Sequence, residues 1–203
     1  MPGTEMGSID TAELDRADMK RLVAGHDAAL NSLMDRHSGP VFQFLFRLLN
    51  NEADANDLAQ EAFVRIYRHR ENYDGGKFTT WLYTIATNLA RTEHRRRRRH
   101  PNVSLEIETG ERGGKLEDML PSSEAGPSQL IITTERHATV RKAVQELPED
   151  LKEAIVLCEW EELSAAEAAS VLRTTPKAIE SRLYRARKLL KESLRNWIDD
   201  VHD

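Results

Sequence analysis

From Phe78 onward the apolar residues of this chain fall at Phe78, Trp81, Leu82, Ile85, Ala86 and Leu89. Intervals of three and four put all six on one side of a helix. The same spacing recurs along the chain, and no stretch of its 203 residues alternates convincingly with period two. The pattern predicts an all-α protein. Helices are expected over residues 11–24 and 27–50, the second perturbed where Gly39 and Pro40 interrupt it, because proline removes a helical donor. In NEADANDLAQEAFVRIYRHR, Asp54 can cap the first turn, where an acidic residue also suits the helix dipole. Leu58, Ala62 and Ile66 then make a buried stripe, widened by Phe63 and Tyr67, while Asp57, Gln60 and Glu61 share a polar face. The loop ENYDGGK follows, its glycine pair marking a turn.

Between residues 101 and 136 the composition shifts to Gly, Pro, Ser and acidic residues with little helical patterning. Such a stretch cannot bury enough apolar surface to fold alone and reads as a flexible linker. The expected plan is therefore a flexible start over 1–10, a first helical domain over 11–100, the linker over 101–136 and a second helical domain over 137–203. In the second domain ATVRKAVQEL stops at Leu147 and Pro148, and EDLKEAIVLCEWE carries Ala154, Ile155, Cys158 and Trp160 as candidate core.

Composition narrows the functional classes. The apolar stretch PVFQFLFRLL is broken by Gln43 and Arg47 and is far too short to span a bilayer, so no membrane insertion is expected. The acidic start MPGTEMGSIDTAELD lacks a basic leader and an apolar h-region, which argues against a secretory signal and for a cytoplasmic protein. A lone cysteine, Cys158, excludes an internal disulfide framework and a multi-cysteine zinc cluster. Within EAIVLCEW it reads as a packed, inert thiol. The scattered histidines show no paired metal-ligand spacing and read as mostly surface residues, so no metal or cofactor is expected.

Two basic elements stand out against a formal net charge of −5. In NLARTEHRRRRRHP the residues Thr84, Asn88, Arg91, Arg95 and Arg98 continue one face of the helix that begins at Phe78. An arginine run by itself also fits a solvated tail or a localisation tag. The second element is LSAAEAASVLRTTPKAIESRLYRARKLLKESL. Ser164 and Glu167 make a capping box, and Thr175 followed by Pro176 restarts a helix after a very short turn. Ile179, Leu183, Ala186 and Leu190 would face the core, with Lys177, Ser181, Tyr184, Arg185 and Lys188 facing out. This is a helix-turn-helix pattern, whose second helix can enter a major groove, although two helices with a short turn also occur in ordinary bundles. Together the two basic faces suggest a clamp on two sites of one DNA.

The blocks DANDLAQEAFVRIY, FTTWLYTIATNLAR with arginines after it, LPEDLKEAIVL, LSAAEAASVL and AIESRLYRARKLL resemble, in order and spacing, the bacterial RNA polymerase sigma factors of the extracytoplasmic-function type. The resemblance implies two helical domains, regions two and four, and no catalytic activity. It implies that Asp57, Gln60 and Glu61 bind the clamp helices of core RNA polymerase. The loop from Tyr73 through Asp74 to Lys77, with Asn88, Arg91, Arg95 and Arg98, would hold the opened minus-ten strand. In the same comparison Lys177, Ser181, Tyr184, Arg185 and Lys188 would contact the minus-35 element of promoter DNA, with Arg182 and Arg187 nearer the backbone or the polymerase flap. Trp81 and Phe78 belong to the core rather than to base stacking. An anti-sigma factor is implied as a further partner, and the acidic linker would thread toward the RNA exit path.

Several positions depart from the family pattern: Glu180 where a basic residue is common, Arg173 where glycine is common, and Thr84 and Thr92 in place of residues that are often Arg and Asp. These bear on promoter sequence rather than on the domain plan. A stand-alone helix-turn-helix regulator would account for Ser164 to Leu190 but leaves the acidic face and the arginine helix idle. An enzyme finds no nucleophile triad, phosphate loop or carboxylate set at ligand spacing.

Overall fold

The computed structural model describes residues 10–99 and 138–195. The expected flexible start and the linker over 101–136 lie outside the described residues, apart from residue 10. Eight α-helices form the described part: α1 (Thr11–Val23), α2 (Ala28–Leu49), α3 (Glu52–Arg68), α4 (Phe78–Arg99), α5 (138–145), α6 (Glu149–Glu159), α7 (Ala165–Leu172) and α8 (Pro176–Ser193). A 3-10 turn over Arg70–Asn72 leads into the loop before α4. The protein is all-α, with no strand among the described residues. No described helix is long and apolar enough to cross a membrane.

The first unit, α1 to α4, closes around Met19, Leu33, Phe44, Leu45, Phe63, Ile66, Phe78 and Leu82, all buried. Phe44 and Tyr83 meet edge to face at 4.9 Å between ring centroids, a favoured aromatic geometry. Helix α1 is tied to α2 by ion pairs as well as by packing. Arg36 donates to Asp15 (2.9 Å) and to Asp18 (2.6 Å), and the ring of His37 meets the Asp15 carboxylate at 2.8 Å. Buried His37 departs from the surface role expected of most histidines.

Helix α2 corrects the expected break at Gly39 and Pro40, for it runs unbroken through both. An interior proline costs about 3 kcal/mol. Here Leu33 on one side of it and Val41, Phe44, Leu45 and Leu48 on the other are all buried against the same core, and that burial outweighs the lost backbone bond. The cap of α3 is also corrected. Asn51, not Asp54, is the N-cap, its side chain accepting from the Asp54 amide at 2.9 Å. The preceding Asn50 ends α2 with φ 50°, ψ 36°, a left-handed geometry asparagine tolerates better than most residues. One Asn pair thus stops a helix and starts the next.

In the second unit, Leu151, Ala154, Ile155, Val156 and Leu157 of α6 pack with Ala168, Val171 and Leu172 of α7 and with Ile179, Leu183 and Ala186 of α8. Of the expected α6 core, Ala154 and Ile155 are buried and Cys158 is half-buried against it, whereas Trp160 is exposed and Leu151, Val156 and Leu157 complete the core instead. Burial still pushes the Cys158 thiol up from its ordinary pKa, in keeping with an inert thiol.

The expected capping box is formed at the start of α7. Ser164 Oγ accepts from the Glu167 amide at 3.3 Å, and Glu167 Oε2 accepts from the Ser164 amide at 2.8 Å. Arg173 closes α7 with φ 54°, ψ 52°, the backbone a glycine would take. Thr175 then caps α8 by accepting from the Ala178 amide, with Pro176 in its first turn.

The two units pack on each other, α2 against α6 and α4 against α7, so one apolar cluster runs through both. Polar bonds cross the same junction. Tyr83 donates to Glu161, Arg47 donates to Glu161 at 3.2 Å, and Gln145 donates to the Arg47 carbonyl at 2.5 Å. Lys77 donates to Glu167 at 2.7 Å.

Bonds from Lys77 and from the Ser164 side chain and amide hold the Glu167 carboxyl down to about 2. A carboxyl depressed on folding stabilises fully above its unfolded value, about 4.3, and loses that contribution as pH falls through the folded value. Acid unfolding between about pH 4 and pH 2 is therefore expected to be shallower in Glu167→Gln than in the wild type. At neutral pH, Ser164→Ala should lose about 1 kcal/mol in urea denaturation, against no more than about 0.5 kcal/mol for Ser170→Ala on the exposed side of α7.

Candidate nucleic-acid interface

Helix α8 presents its side chains in two sets. Ile179, Leu183 and Ala186 are buried, and they hold the opposite face toward solvent. On that face Lys177, Ser181, Tyr184, Arg185 and Lys188 are exposed, Tyr184 with 72% of its surface open. A tyrosine so open contributes nothing to the core. The hydroxyl of Ser181 bonds back to the Lys177 carbonyl at 3.0 Å. Arg182 is turned inward and half-buried, 3.4 Å from Asp150, and Arg185 reaches the same carboxylate only at 3.8 Å. Arg187 is held by Glu159 at 3.1 Å and Lys188 stands 4.0 Å from Glu192. Glu180, one of the departures from the family pattern, is exposed between Lys177 and Tyr184. A helix N-terminus with exposed cations and hydroxyls can meet phosphates and base edges in a major groove.

Helix α4 carries the arginine run to its last turn, and the run does not act as one block. Glu93 takes Arg96 in a two-pronged pair at 2.8 Å and also takes Arg97 at 3.2 Å, while Arg97 further pairs with Asp54. Asn88, Arg95 and Arg98 are exposed, with Arg95 folded back onto the Arg91 carbonyl and the Thr92 hydroxyl. Arg91, on the same face, donates through Nε and Nη2 to both oxygens of Glu153, at 2.6 and 2.5 Å. Cations at helix C-termini are favoured by the dipole, which helps five adjacent arginines stay helical.

The loop before α4 is pinned locally. Asp74 accepts from the Gly76 amide at 2.9 Å, Tyr73 donates to the Gly76 carbonyl, and Gly75 has φ 83°, a region that favours glycine. Tyr73 leans on Trp81 at 5.5 Å between centroids, and Trp81 and Phe78 both belong to the core. Lys77 leaves this loop toward Glu167. The loop and the Asn88, Arg91, Arg95 and Arg98 face therefore lie on a single scaffold, set by the burial of Phe78, Leu82 and Ala86.

On α3, Asp57 and Gln60 are exposed and Glu61 is half-exposed, accepting from Arg65 at 2.8 Å. Their spacing puts them on one side of the helix, opposite Ala55, Ala59, Ala62 and Ile66. Val64, 39% exposed, stands one turn beyond Gln60 and adds an apolar contact to that face. Sequence reasoning passed over it, since a single exposed valine looks like part of the stripe.

It also passed over Glu153, Glu161 and the second role of Glu167. Their partners lie 62 to 114 residues away in sequence, and no local spacing signals such a pairing.

Comparison with known proteins identifies the same two units. The Sigma-70 region 2 family matches residues 33–100, and the Sigma-70, region 4 family matches residues 137–190. The chain is 31% identical over 180 residues to the extracytoplasmic-function RNA polymerase sigma factor SigW of Bacillus subtilis, covering 88% of this chain and 95% of that one. It is 33% identical over 189 residues to the RNA polymerase sigma-H factor of Pseudomonas aeruginosa, covering 91% and 95%. Its fold is similar to that of CnrH, solved in complex with the cytosolic domain of CnrY, with TM-score 0.65 and 24% identity over 90% of this chain and 98% of that chain. It is similar as well to RpoE of Bartonella quintana, solved with the anti-sigma factor NepR, with TM-score 0.62 and 23% identity over 81% and 96%.

The two faces of α8 should separate in denaturation experiments. Tyr184→Ala is expected to change unfolding free energy by no more than about 0.5 kcal/mol, and Ile179→Ala to lower it by about 2 to 5 kcal/mol. A comparable loss from both would place Tyr184 in the core.

Proposed function

Since this chain belongs to the RNA polymerase sigma factors of the extracytoplasmic-function type, we propose that it binds core RNA polymerase, recognises minus-35 and minus-ten promoter elements and promotes strand opening at transcription start sites. The observation that carries this reading is the exposed polar face of α8, with Lys177, Ser181, Tyr184 and Arg185 open to solvent above the buried Ile179, Leu183 and Ala186. In this reading α8 lies in the major groove of the minus-35 element, Lys188 among its contacts, with Arg182 and Arg187 nearer the backbone or the polymerase flap. Glu180 accepts from a cytosine amino group there.

Asn88, Arg91, Arg95 and Arg98 grip the backbone of the opened minus-ten strand, and the loop of Tyr73, Asp74 and Lys77 holds an extruded base. Asp57, Gln60 and Glu61, with Val64 beside them, meet the clamp helices of the polymerase. An acidic face with an apolar edge suits a basic partner helix. The protein acts by binding and positioning, without catalysis of its own, in the cytoplasm where its polymerase works. An anti-sigma factor covers one or more of these faces when the promoters are silent.

A stand-alone regulator would bind its operator without help, so a gel shift on promoter fragments with and without core polymerase tests the reading. A shift that requires core polymerase is expected, and an equal shift without it would overturn the proposal. Arg185→Ala should weaken promoter binding by the holoenzyme by about 1 to 3 kcal/mol for a base contact while leaving thermal unfolding unchanged. Binding should also fall with salt by about 0.9 log units per log unit for each neutralised phosphate. Gln60→Ala combined with Glu61→Ala should reduce capture of core polymerase in a pull-down, with promoter elements playing no part in that assay.

A further inference from the structure

Helix α1 lies before residues 33–100, the stretch matched by the Sigma-70 region 2 family, yet it is built into the same unit. Its carboxylates point inward. Asp15 and Asp18 are buried, and Arg36 of α2 donates to both, at 2.9 and 2.6 Å. The ring of His37 meets Asp15 at 2.8 Å and Phe78, the first residue of α4, at 5.0 Å between centroids. Breaking either pair would leave a buried charge unanswered, so Asp15 and Asp18 fix how α1 is turned about its own axis.

Arg16 follows Asp15 by about 100° of helix rotation, which carries it out of that buried seat. It is exposed and makes no ion pair among the described residues. The side it reaches is that of the loop before α4, because α1 packs on the Arg70–Asn72 turn and on α4 as well as on α2. Burial pushes the Tyr73 hydroxyl up from its ordinary pKa, and the charge of Arg16 opposes that rise, as only a nearby charge can. By contrast Arg21, on the same helix, is answered by Asp18 at 3.3 Å.

The position matters because of where the other strand-facing groups stand. Asn88, Arg91, Arg95 and Arg98 come ten to twenty residues after Phe78, about 15 to 30 Å along α4. The loop of residues 73–77 carries one cation, Lys77, and Glu167 holds it at 2.7 Å. At the loop end of the unit, Arg16 is open.

We propose that Arg16 is a further strand-binding residue, its guanidinium taking a phosphate of the opened strand on the side of the Tyr73 to Lys77 loop away from the arginines of α4. This deepens the function proposed above and rests on it for the identity of the strand. A strand held by α4 alone is gripped on one side of the extruded base, and Arg16 grips it on the other. The base is then fixed between two anchored phosphates, which set register without reading sequence. Asp15 and Asp18, with Arg36 and His37, are positioning residues in this arrangement, since they hold the helix that presents Arg16.

The test uses holoenzyme assembled from the full chain and core polymerase, with a fragment that shifts in the gel assay above, prepared with its minus-ten region unpaired. Arg16→Ala is expected to bind it about fivefold more weakly than the wild type, with the salt slope reduced by about 0.7. Arg16→Lys should keep most of the affinity, and Arg21→Ala should bind as the wild type does. Thermal unfolding and capture of core polymerase should be unchanged in Arg16→Ala. Equal affinity and slope in Arg16→Ala would overturn the proposal. So would reduced capture of core polymerase, which would assign Arg16 to the polymerase instead of the strand.

A second measurement locates the phosphate. Single phosphates of the unpaired strand are replaced in turn by uncharged methylphosphonates. At one position the replacement should weaken the wild type and leave Arg16→Ala unaffected, and that position should lie across the extruded base from the one that behaves so with Arg95→Ala. Absence of such a position, or its coincidence with the Arg95 position, would overturn the proposal. Failure of the wild type to shift any fragment removes the functional reading, whereas a match between Arg16→Ala and the wild type removes this inference alone.

Discussion

Glu161 sits at the junction of the two helical units with almost none of its carboxyl in water, and the arrangement around it depends on how that carboxyl is satisfied. Burial raises its pKa, against the bond from Tyr83 and the charge of Arg47, which favour ionisation. Tyr83 is pushed far up as well, first by burial and then by the neighbouring carboxylate. The Arg47 guanidinium is itself lowered by burial. Three polar groups removed from water must satisfy one another. They can do so only if α2, α4 and the segment after α6 approach in one orientation. The apolar contacts alone would tolerate sliding, whereas the polar set specifies the seat.

The presentation of α8 is a matter of local chemistry. A capping box starts α7, a left-handed Arg173 ends it, and Thr175 with Pro176 starts α8 at once. Each device satisfies backbone groups that helix ends leave open. Their close succession fixes the angle between two short helices without a long loop. The buried side of α8 then needs only Ile179, Leu183 and Ala186 to hold the opposite side outward. Arg173 shows that the turn does not require glycine, only a residue held in a glycine-like backbone by its neighbours.

Charge is partitioned with similar economy. The chain is acidic overall, with net charge −5, yet five consecutive arginines, Arg95 to Arg99, close one helix. Glu93 and Asp54 neutralise part of that run from within the first unit, and Glu153 takes Arg91 from the second. Arg95, Arg98 and Arg99 of that run stay exposed, as do Lys177, Arg185 and Lys188 on α8. A protein that must avoid holding every polyanion it meets gains specificity when its cations are answered internally.

The sequence by itself determined the helices, their apolar stripes, the capping box at Ser164, the Thr175 and Pro176 restart and the exposed face of α8. All of these are set within one or two turns of chain, where spacing of three and four residues is the physical signal. What it could not decide was whether Pro40 would break α2, which residue caps α3, and where Arg91 and Lys77 would spend their charge. Continuity through Pro40 depended on burial of residues on both sides against a core assembled from several helices. The choice of Asn51 over Asp54 turned on which side chain met a free amide. The pairs Arg91 with Glu153 and Lys77 with Glu167 join residues 62 and 90 positions apart, and only the packing of α4 on α7 and of α2 on α6 brings them within reach.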